Sequence, residues 1–541
     1  MASTLMKLNL LTPIALGFSC FAALAAPATA NPPQDVGIQV GIVQRFGDRS
    51  ADTLTLKANP GDRLTVRFNT NGKPQTLTAQ ELKLETAMQK LPQPVVEERV
   101  VFSTHRSFET AEDQAQDWKS QGIEVEIAQP ERWQVWAKRD VYNTPLLRRL
   151  LLRSLQAKGI QTARIETKVV REVPRPTWVL DGFRYTRDVI DISSGSGVVQ
   201  VDRATDDHPN RPFGGALRIQ PNAYGNYTLV NFVGIETYLR GVVPHEIGTW
   251  APQPVLEAQA VLARTYALRN LRRFVIDNYQ LCATTQCQVY RGLDGAAPST
   301  DRAIAATRGL VLTYQNELVD AVYSSTSGGV TASFDDIWHG WERPYLRAVI
   351  DSASPVWDLR SRSLSDESNF RAFINQKKGF NEDGTNMFRW RYPVPLAQLN
   401  QELRDYLKAV RHPFANFKTI RNIQIQQRSE GGRILKSAIV TDAGTIKLEK
   451  DDIQTVFDAP ASTLFYLDPI MENKVLKGFV FVGGGFGHGV GMSQFGSYNL
   501  GRLGWTSDRI LRFYFPDTQL QPFNSSITLW RDRTSEQQAS N

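Results

Sequence analysis

The chain has 541 residues, of which 41% are hydrophobic and 22% charged, and a formal net charge of +7. This balance excludes a disordered or membrane-embedded polypeptide and leaves room for two to four domains of roughly 150 residues each. The small positive surplus suits an anionic polymer partner but is equally met by solubility alone.

The first thirty residues stand apart. Lys7 precedes a mostly apolar run from Leu8 to Ala26, and Ala28-Thr29-Ala30 offers small residues for cleavage before Asn31. This is the pattern of a secretory signal peptide over residues 1–30; a lasting anchor needs about 20 apolar residues without the cleavage site. No later stretch is long and apolar enough to span a bilayer. An exported chain of the periplasm or cell wall is therefore predicted, with no nucleic-acid partner and no stable membrane anchor. After processing, Cys282 and Cys287 remain, in LCATTQC. In an oxidising compartment a short-range disulfide leads, whereas a structural zinc normally takes four ligands and no histidine lies in the surrounding segment.

From Val36 to Leu84, short strands alternate with turns at Asn59-Pro60-Gly61-Asp62 and Asn71-Gly72, predicting an antiparallel β unit over residues 36–92. Pro92 and Pro94 mark a boundary. Beyond them, residues 98–172 read as strand (Val100–Ser103), helix (Thr110–Gln121), hairpin (Glu124–Ala128 and Trp133–Ala137), helix (Thr144–Lys158) and strand (Ala163–Val170). This βαββαβ order predicts a small ferredoxin-like domain, with Leu147, Leu150, Leu151 and Leu155 along its second helix. Val173 to Pro176 reads as a linker to the largest region, residues 177–522, which mixes helices and strands and has a polar, weakly patterned stretch from Arg360 to Gln427. Residues 523–541 read as a tail. The fold class expected is α+β, a β-rich domain with helices joined to the small βαββαβ unit.

Within the large region, Tyr227–Val233 and Tyr238–Val243 read as strand, ended by Pro244, with Glu246 in the turn that follows. A helix is expected to start near Pro252 or Pro254. Leu256, Ala260, Ala263 and Ala267 would share one of its faces, and Glu257 and Arg264 another. Three further segments accompany this one: QCQVYRG from Gln286, DAVYSSTSGGVTASFDDIW from Asp320, and a glycine-rich run beginning GGGFGHGVGMSQFG at Gly483. The last is no phosphate loop, since the Walker lysine is missing, and G-x-S-x-G with a partnered histidine is absent.

With YLRGVVPHEI and AQAVLARTYAL, these segments resemble the stage II sporulation protein D (SpoIID/LytB) family over most of Trp178–Leu520. The resemblance implies a peptidoglycan lytic transglycosylase that prefers peptide-free glycan strands. One carboxyl suffices for that chemistry: it protonates the glycosidic oxygen, then deprotonates the C6 hydroxyl of the muramic sugar to leave an anhydro end. Ordinary glycosidases need a second carboxylate. The family's catalytic glutamate falls on Glu246, which would work best with a pKa raised toward neutrality. Arg264 matches the arginine of A-R-T-Y and would clamp an N-acetyl or lactyl group. Tyr323, Ser324, Ser325, His488 and Gln494 would bind or orient the sugar. Glu257 replaces a lysine found in many members and is placed to pair with Arg264. Some members bind zinc through two cysteines and a histidine, but that histidine is missing upstream of Cys282, so no cofactor is expected. In this setting residues 98–172 resemble a SPOR domain, a glycan-binding module. The alternative within the family is a non-catalytic wall-binding protein that enhances an amidase, with that amidase as partner.

Overall fold

The computed structural model describes residues 35–49, 52–160, 162–203, 210–410 and 412–532. The expected signal peptide and the chain beyond residue 532 lie outside the described residues. The fold is α+β, as expected. It begins with β1 (Gly37–Phe46), β2 (Thr53–Ala58), β3 (Leu64–Thr70), β4 (Lys73–Ala79) and β5 (Glu81–His105). Alternate residues of β2 and β3, among them Leu54, Leu56, Leu64 and Val66, point into the core, as a two-residue period requires. The Asn71-Gly72 turn returns β4 onto β3.

Next come α1 (Phe108–Ser120), β6 (Val125–Ala128), β7 (Trp133–Ala137), α2 (Pro145–Ala157) and β8 (Arg164–Leu180). Ser107 and Thr144 cap the two helices, their hydroxyls accepting from the amides of Thr110 and Leu147. The strands pair antiparallel in the order β6-β7-β5-β8. Two expectations need correction. Pro92 and Pro94 do not end a unit, because β5 continues through them with a register shift between Lys90 and Val95. Residues Val173–Pro176 lie inside β8 and are no linker. Proline is tolerated where a strand is irregular and an N–H is not needed. A continuous two-stranded ribbon therefore joins the βαββαβ segment to the rest. On α2 only Leu155 is buried; Leu147 and Leu150 are exposed.

The strands β9 (Phe183–Thr186), β10 (Ile190–Ser194), β11 (Val198–Arg203), β12 (Arg211–Gly214), β13 (Ala216–Pro221), β14 (Tyr227–Gly234) and β15 (Leu281–Cys282) complete two sheets. One runs β15-β1-β14-β13-β10-β3-β4 and the other β12-β11-β2-β5-β7-β6. A shared core includes Leu56, Val66, Ile192, Leu217 and Leu229.

After β14 the chain forms α3 (Ile235–Ile247), where a second strand was expected. Tyr238, Leu239, Val242 and Val243 are all buried and recur at helical spacing. Their β-branched and aromatic character made them resemble a strand, but the face they bury has the 3.6-residue period, and packing outweighs that preference. The helix α4 (Gln253–Arg269) starts at the Pro252 cap, as expected, and is buried on nearly every side. Its small face lies against α3 and α5 (Pro298–Ala306).

The region from residue 332 adds a short α6 (Phe334–Ile337) on the main core, α7 (Glu367–Asn375) on a small core with Phe380 and Leu464, and α8 (Leu396–Ala409) and α9 (Asp452–Val456) around a further core with Leu399, Leu403, Ile439 and Phe481. The helices α10 (Gln494–Arg502) and α11 (Ser507–Tyr514) return to α4. Residues 523–532 are not a tail: Ile527 is buried and the Leu318 amide donates to the Thr528 carbonyl. Among the described residues no helix is long and apolar enough to cross a membrane.

Candidate functional site

Close backbone packing creates the site. A methyl group on Gly241 of α3 would fall 1.7 Å from the Gly292 carbonyl, so only glycine lets α3 approach the Tyr290–Gly292 strip this closely. That approach brings the Val289 amide to 2.7 Å from Oε1 of Glu246, which sits in the last turn of α3, not in a loop. His245, beside it, turns away to the Asp294 carbonyl.

From the opposite side, the short strand Tyr323–Ser324 pairs in parallel with Met492–Ser493. This brings the Tyr323 hydroxyl into a hydrogen bond with the Glu246 carboxyl. Gln494 Nε2 donates to the Glu246 backbone carbonyl at 2.8 Å. Behind Tyr323, Tyr238 donates to Gln288 Oε1 at 3.2 Å, and Gln288 Nε2 donates to the Tyr323 oxygen at 2.9 Å. Because the Tyr323 oxygen accepts from the amide, its own proton is left to point at Glu246.

Burial pushes the Glu246 carboxyl up to about 7, against the smaller opposing pull of the Val289 and Tyr323 hydrogen bonds. Its place at the C-terminal end of α3, where the helix dipole is negative, also disfavours the charged form. No neighbouring carboxylate contributes to the shift.

Glu246 opens into a groove of about 670 Å³ lined also by Tyr323, Ser324, Ser325, His488 and Gln494. The sequence scattered these residues over 249 positions; the fold gathers them. The Ser324 hydroxyl is buried at the groove without a hydrogen-bond partner. His488 Nδ1 accepts from the Val490 amide at 3.0 Å, and its ring lies 5.0 Å from that of Trp338. Burial pulls its pKa down to about 4, so the imidazole is neutral at physiological pH. Residues Arg106 to Glu109, at the start of α1, form one wall, and residues of the Asp451–Ala461 stretch another. Arg106 bridges them by donating to the Gln454 carbonyl at 2.7 Å. The α1 wall is held by Arg272, whose Nε and Nη2 reach the Glu112 carboxylate at 2.6 Å, and by Arg273 with Glu109.

Arg264 is a correction. Its Nε and Nη2 grip Glu236 at 2.8 Å, its Nη1 donates to the Leu310 carbonyl, and its side chain is 1% exposed. It locks α4 to α3 and does not line the groove. Glu257 contacts Ser507 instead of Arg264. The Ser327-Gly328-Gly329 turn that follows Tyr323–Ser325 gives its three amides to the Glu382 carboxylate, which also accepts from Ser493. Cys282 and Cys287 form the expected disulfide, and Cys287 lies at the groove edge. Gln288 and Tyr238 stood inside two of the quoted segments but were not singled out, and Glu382 carried no local signal.

The fold and site define an α+β protein, built around two large sheets, in which a largely buried glutamate with a raised pKa opens into a groove. Residues 223–314 match a family model described as Stage II sporulation protein, and residues 332–491 one described as a domain of unknown function (DUF8618). The chain is 25% identical over 407 residues to the amidase enhancer of Bacillus subtilis (strain 168), covering 67% of this chain and 53% of that protein. It is 24% identical over 365 residues to stage II sporulation protein D of the same organism, covering 64% and 91%. It is also 28% identical over 305 residues to an uncharacterized protein of Brachyspira hyodysenteriae, covering 55% and 69%. The chain thus spans about half the length of the amidase enhancer. Residues 223–314, which hold α3, α4, Glu246 and Gln288, are a SpoIID-family domain.

Proposed function

We propose that the protein is an exported peptidoglycan lytic transglycosylase, acting in the periplasm or cell wall with Glu246 as its only acid/base and no cofactor. The observation that carries this reading is a largely buried carboxyl, raised to about 7, that opens into a groove and whose shift owes nothing to a neighbouring carboxylate. Glu109, Asp451 and Asp458 line the same groove, so the product test must also separate anhydro ends from the reducing ends that a two-carboxylate hydrolase would leave. In its protonated form Glu246 gives its proton to the glycosidic oxygen as that bond to C1 breaks. The resulting carboxylate is met by the Val289 amide and the Tyr323 hydroxyl. It then takes the proton of the C6 hydroxyl while that oxygen bonds to C1, closing the anhydro ring and restoring the acid. The unpartnered Ser324 hydroxyl, Ser325, neutral His488 and Gln494 are the groups offered to the sugar. The segment 98–172 supports the same reading as a glycan-contacting wall, since its residues Arg106 to Glu109 face the groove.

The test is incubation with peptide-free glycan followed by mass spectrometry. Anhydro-muramic ends should appear with the parent protein and vanish with Glu246→Gln. No product from the parent, or equal product from the variant, rejects the assignment. The similarity to an amidase enhancer favours one other reading, a wall-binding protein that stimulates an amidase. Glycan binding and amidase stimulation without anhydro ends would select it.

A further inference from the structure

We infer that a second cleft, on the far side of the Glu246 wall, holds further sugars of the same peptide-free glycan strand. This rests on the glycan reading of the Glu246 groove. The cleft has a volume of about 560 Å³ and is lined by Trp250, Phe495, Tyr498, Asn499, Arg502 and Asn381, among others. Four of these, Phe495, Tyr498, Asn499 and Arg502, follow the i, i+3, i+4, i+7 spacing of one face of α10. The two clefts adjoin: Gln494 reaches into the first while Phe495 lines the second, and Phe495 donates its amide to the carbonyl of Ser325 in the first. Across from α10, α3 ends at Ile247, whose carbonyl accepts from the Tyr498 hydroxyl at 2.6 Å.

Trp250 is 62% exposed and Phe495 37%, which is unusual for large rings unless a partner covers them. The indole is nevertheless held in place. Its ring lies 4.6 Å from Tyr498, which in turn lies 5.2 Å from Phe495. A methyl on Gly248 would come within 2.7 Å of Trp250 Nε1, and Gly248 also adopts φ +76°, so glycine is needed for the ring to lie back on this turn. Two outward-facing rings, Trp250 and Phe495, steadied by the buried Tyr498 between them, match the apolar faces of pyranoses, whose C–H groups are drawn to the negative ring face. Polar groups suited to sugar hydroxyls flank the rings. One Asn499 Nδ2 proton goes to Asn381 Oδ1 at 2.9 Å, which leaves the second N–H to donate and Oδ1 to accept. Exposed Arg502 offers a planar donor fork for a lactyl carboxylate. An acid that cuts within a strand needs sugars on both sides of the bond. The Ser324–His488 groove supplies one side, and the aromatic cleft supplies the other.

Titration calorimetry on full-length Glu246→Gln, with a peptide-free disaccharide and a longer peptide-free oligosaccharide, tests this. Adding Trp250→Ala or Phe495→Ala should weaken the longer ligand by about tenfold, the loss of one stacked ring, and leave the disaccharide unchanged. Unchanged melting profiles exclude misfolding; should Trp250→Ala melt early, Trp250→Phe must then restore long-ligand binding. Equal loss at both lengths, or no loss at either, overturns the inference. If neither ligand binds Glu246→Gln, the glycan reading of the first groove falls and this inference falls with it.

Discussion

Glu236 and Glu246 occupy the first and last turns of the same helix and both are largely withdrawn from water, yet one is gripped by an arginine and the other faces no cation. At the N-terminal end the helix dipole favours a carboxylate, and Arg264 adds a bidentate partner. At the C-terminal end the dipole opposes charge, and one amide and one phenol stand in place of an arginine. Burial alone therefore does not mark a reactive acid. The distinguishing feature is burial beside a groove without a compensating cation.

Substitutions at the two ends should separate these roles. The largest effect is expected on turnover: Glu246→Gln should lower the rate of anhydro-end formation by about 10²–10⁴-fold, measured by product mass spectrometry. Its stability should move the other way. A carboxyl whose folded pKa lies above its unfolded value binds more protons when folded, so its contribution to stability is lost as pH rises through about 7. Above that pH, Glu246→Gln should melt no lower than the parent. By the same titration, parent turnover should fall as pH rises through about 7, because the proton donor is lost.

At the other end, Arg264→Met should leave Glu236 buried and unpaired and cost about 3–5 kcal/mol, read by denaturant unfolding. A normal unfolding midpoint would return Arg264 to consideration as a surface clamp. Between these, Cys282→Ala with Cys287→Ala should cost about 2 kcal/mol, the loop-closure value for so short a loop, and leave the fall in turnover at about pH 7 in place. Smaller effects are expected behind the carboxyl. In Tyr323→Phe, loss of one hydrogen bond to the charged form, about 1 kcal/mol, should move the fall in turnover above about pH 7 upward by about half to one pH unit. Gln288→Leu should move it in the same direction by less, because Gln288 acts through Tyr323. A lower rate with no such shift would make both residues merely structural.

Much of the site was legible because its pieces lie in short segments with distinct residue types. Glu246, Tyr323, Ser324, Ser325, His488 and Gln494 all reach one groove. Arg264 was misread because a helical arginine beside small residues looks the same in sequence whether it meets a sugar or a glutamate. Its partner, Glu236, lies 28 residues earlier on the preceding helix. The strand expected over Tyr238–Val243 failed for a related reason: two pairs of bulky residues suit either periodicity until a neighbour decides which face is buried. The prolines misled domain division: those at 92 and 94 fall within the register shift of the ribbon, and those at 174 and 176 sit in its regular pairing opposite Met88 and Thr86. Glu382 was invisible because its three amide partners and Ser493 come from distant parts of the chain.

The wall formed by Arg106 to Glu109 makes the βαββαβ segment one jaw of the groove, with the Asp451–Ala461 stretch as the opposing jaw. Groove width is then a property of how these two jaws are mounted, and the Arg106–Gln454 contact acts as a clasp between them. Exchanging the βαββαβ segment would therefore reshape the mouth of the groove around Glu246 without touching α3, so access to the carboxyl and its protonation are set by separate pieces of architecture.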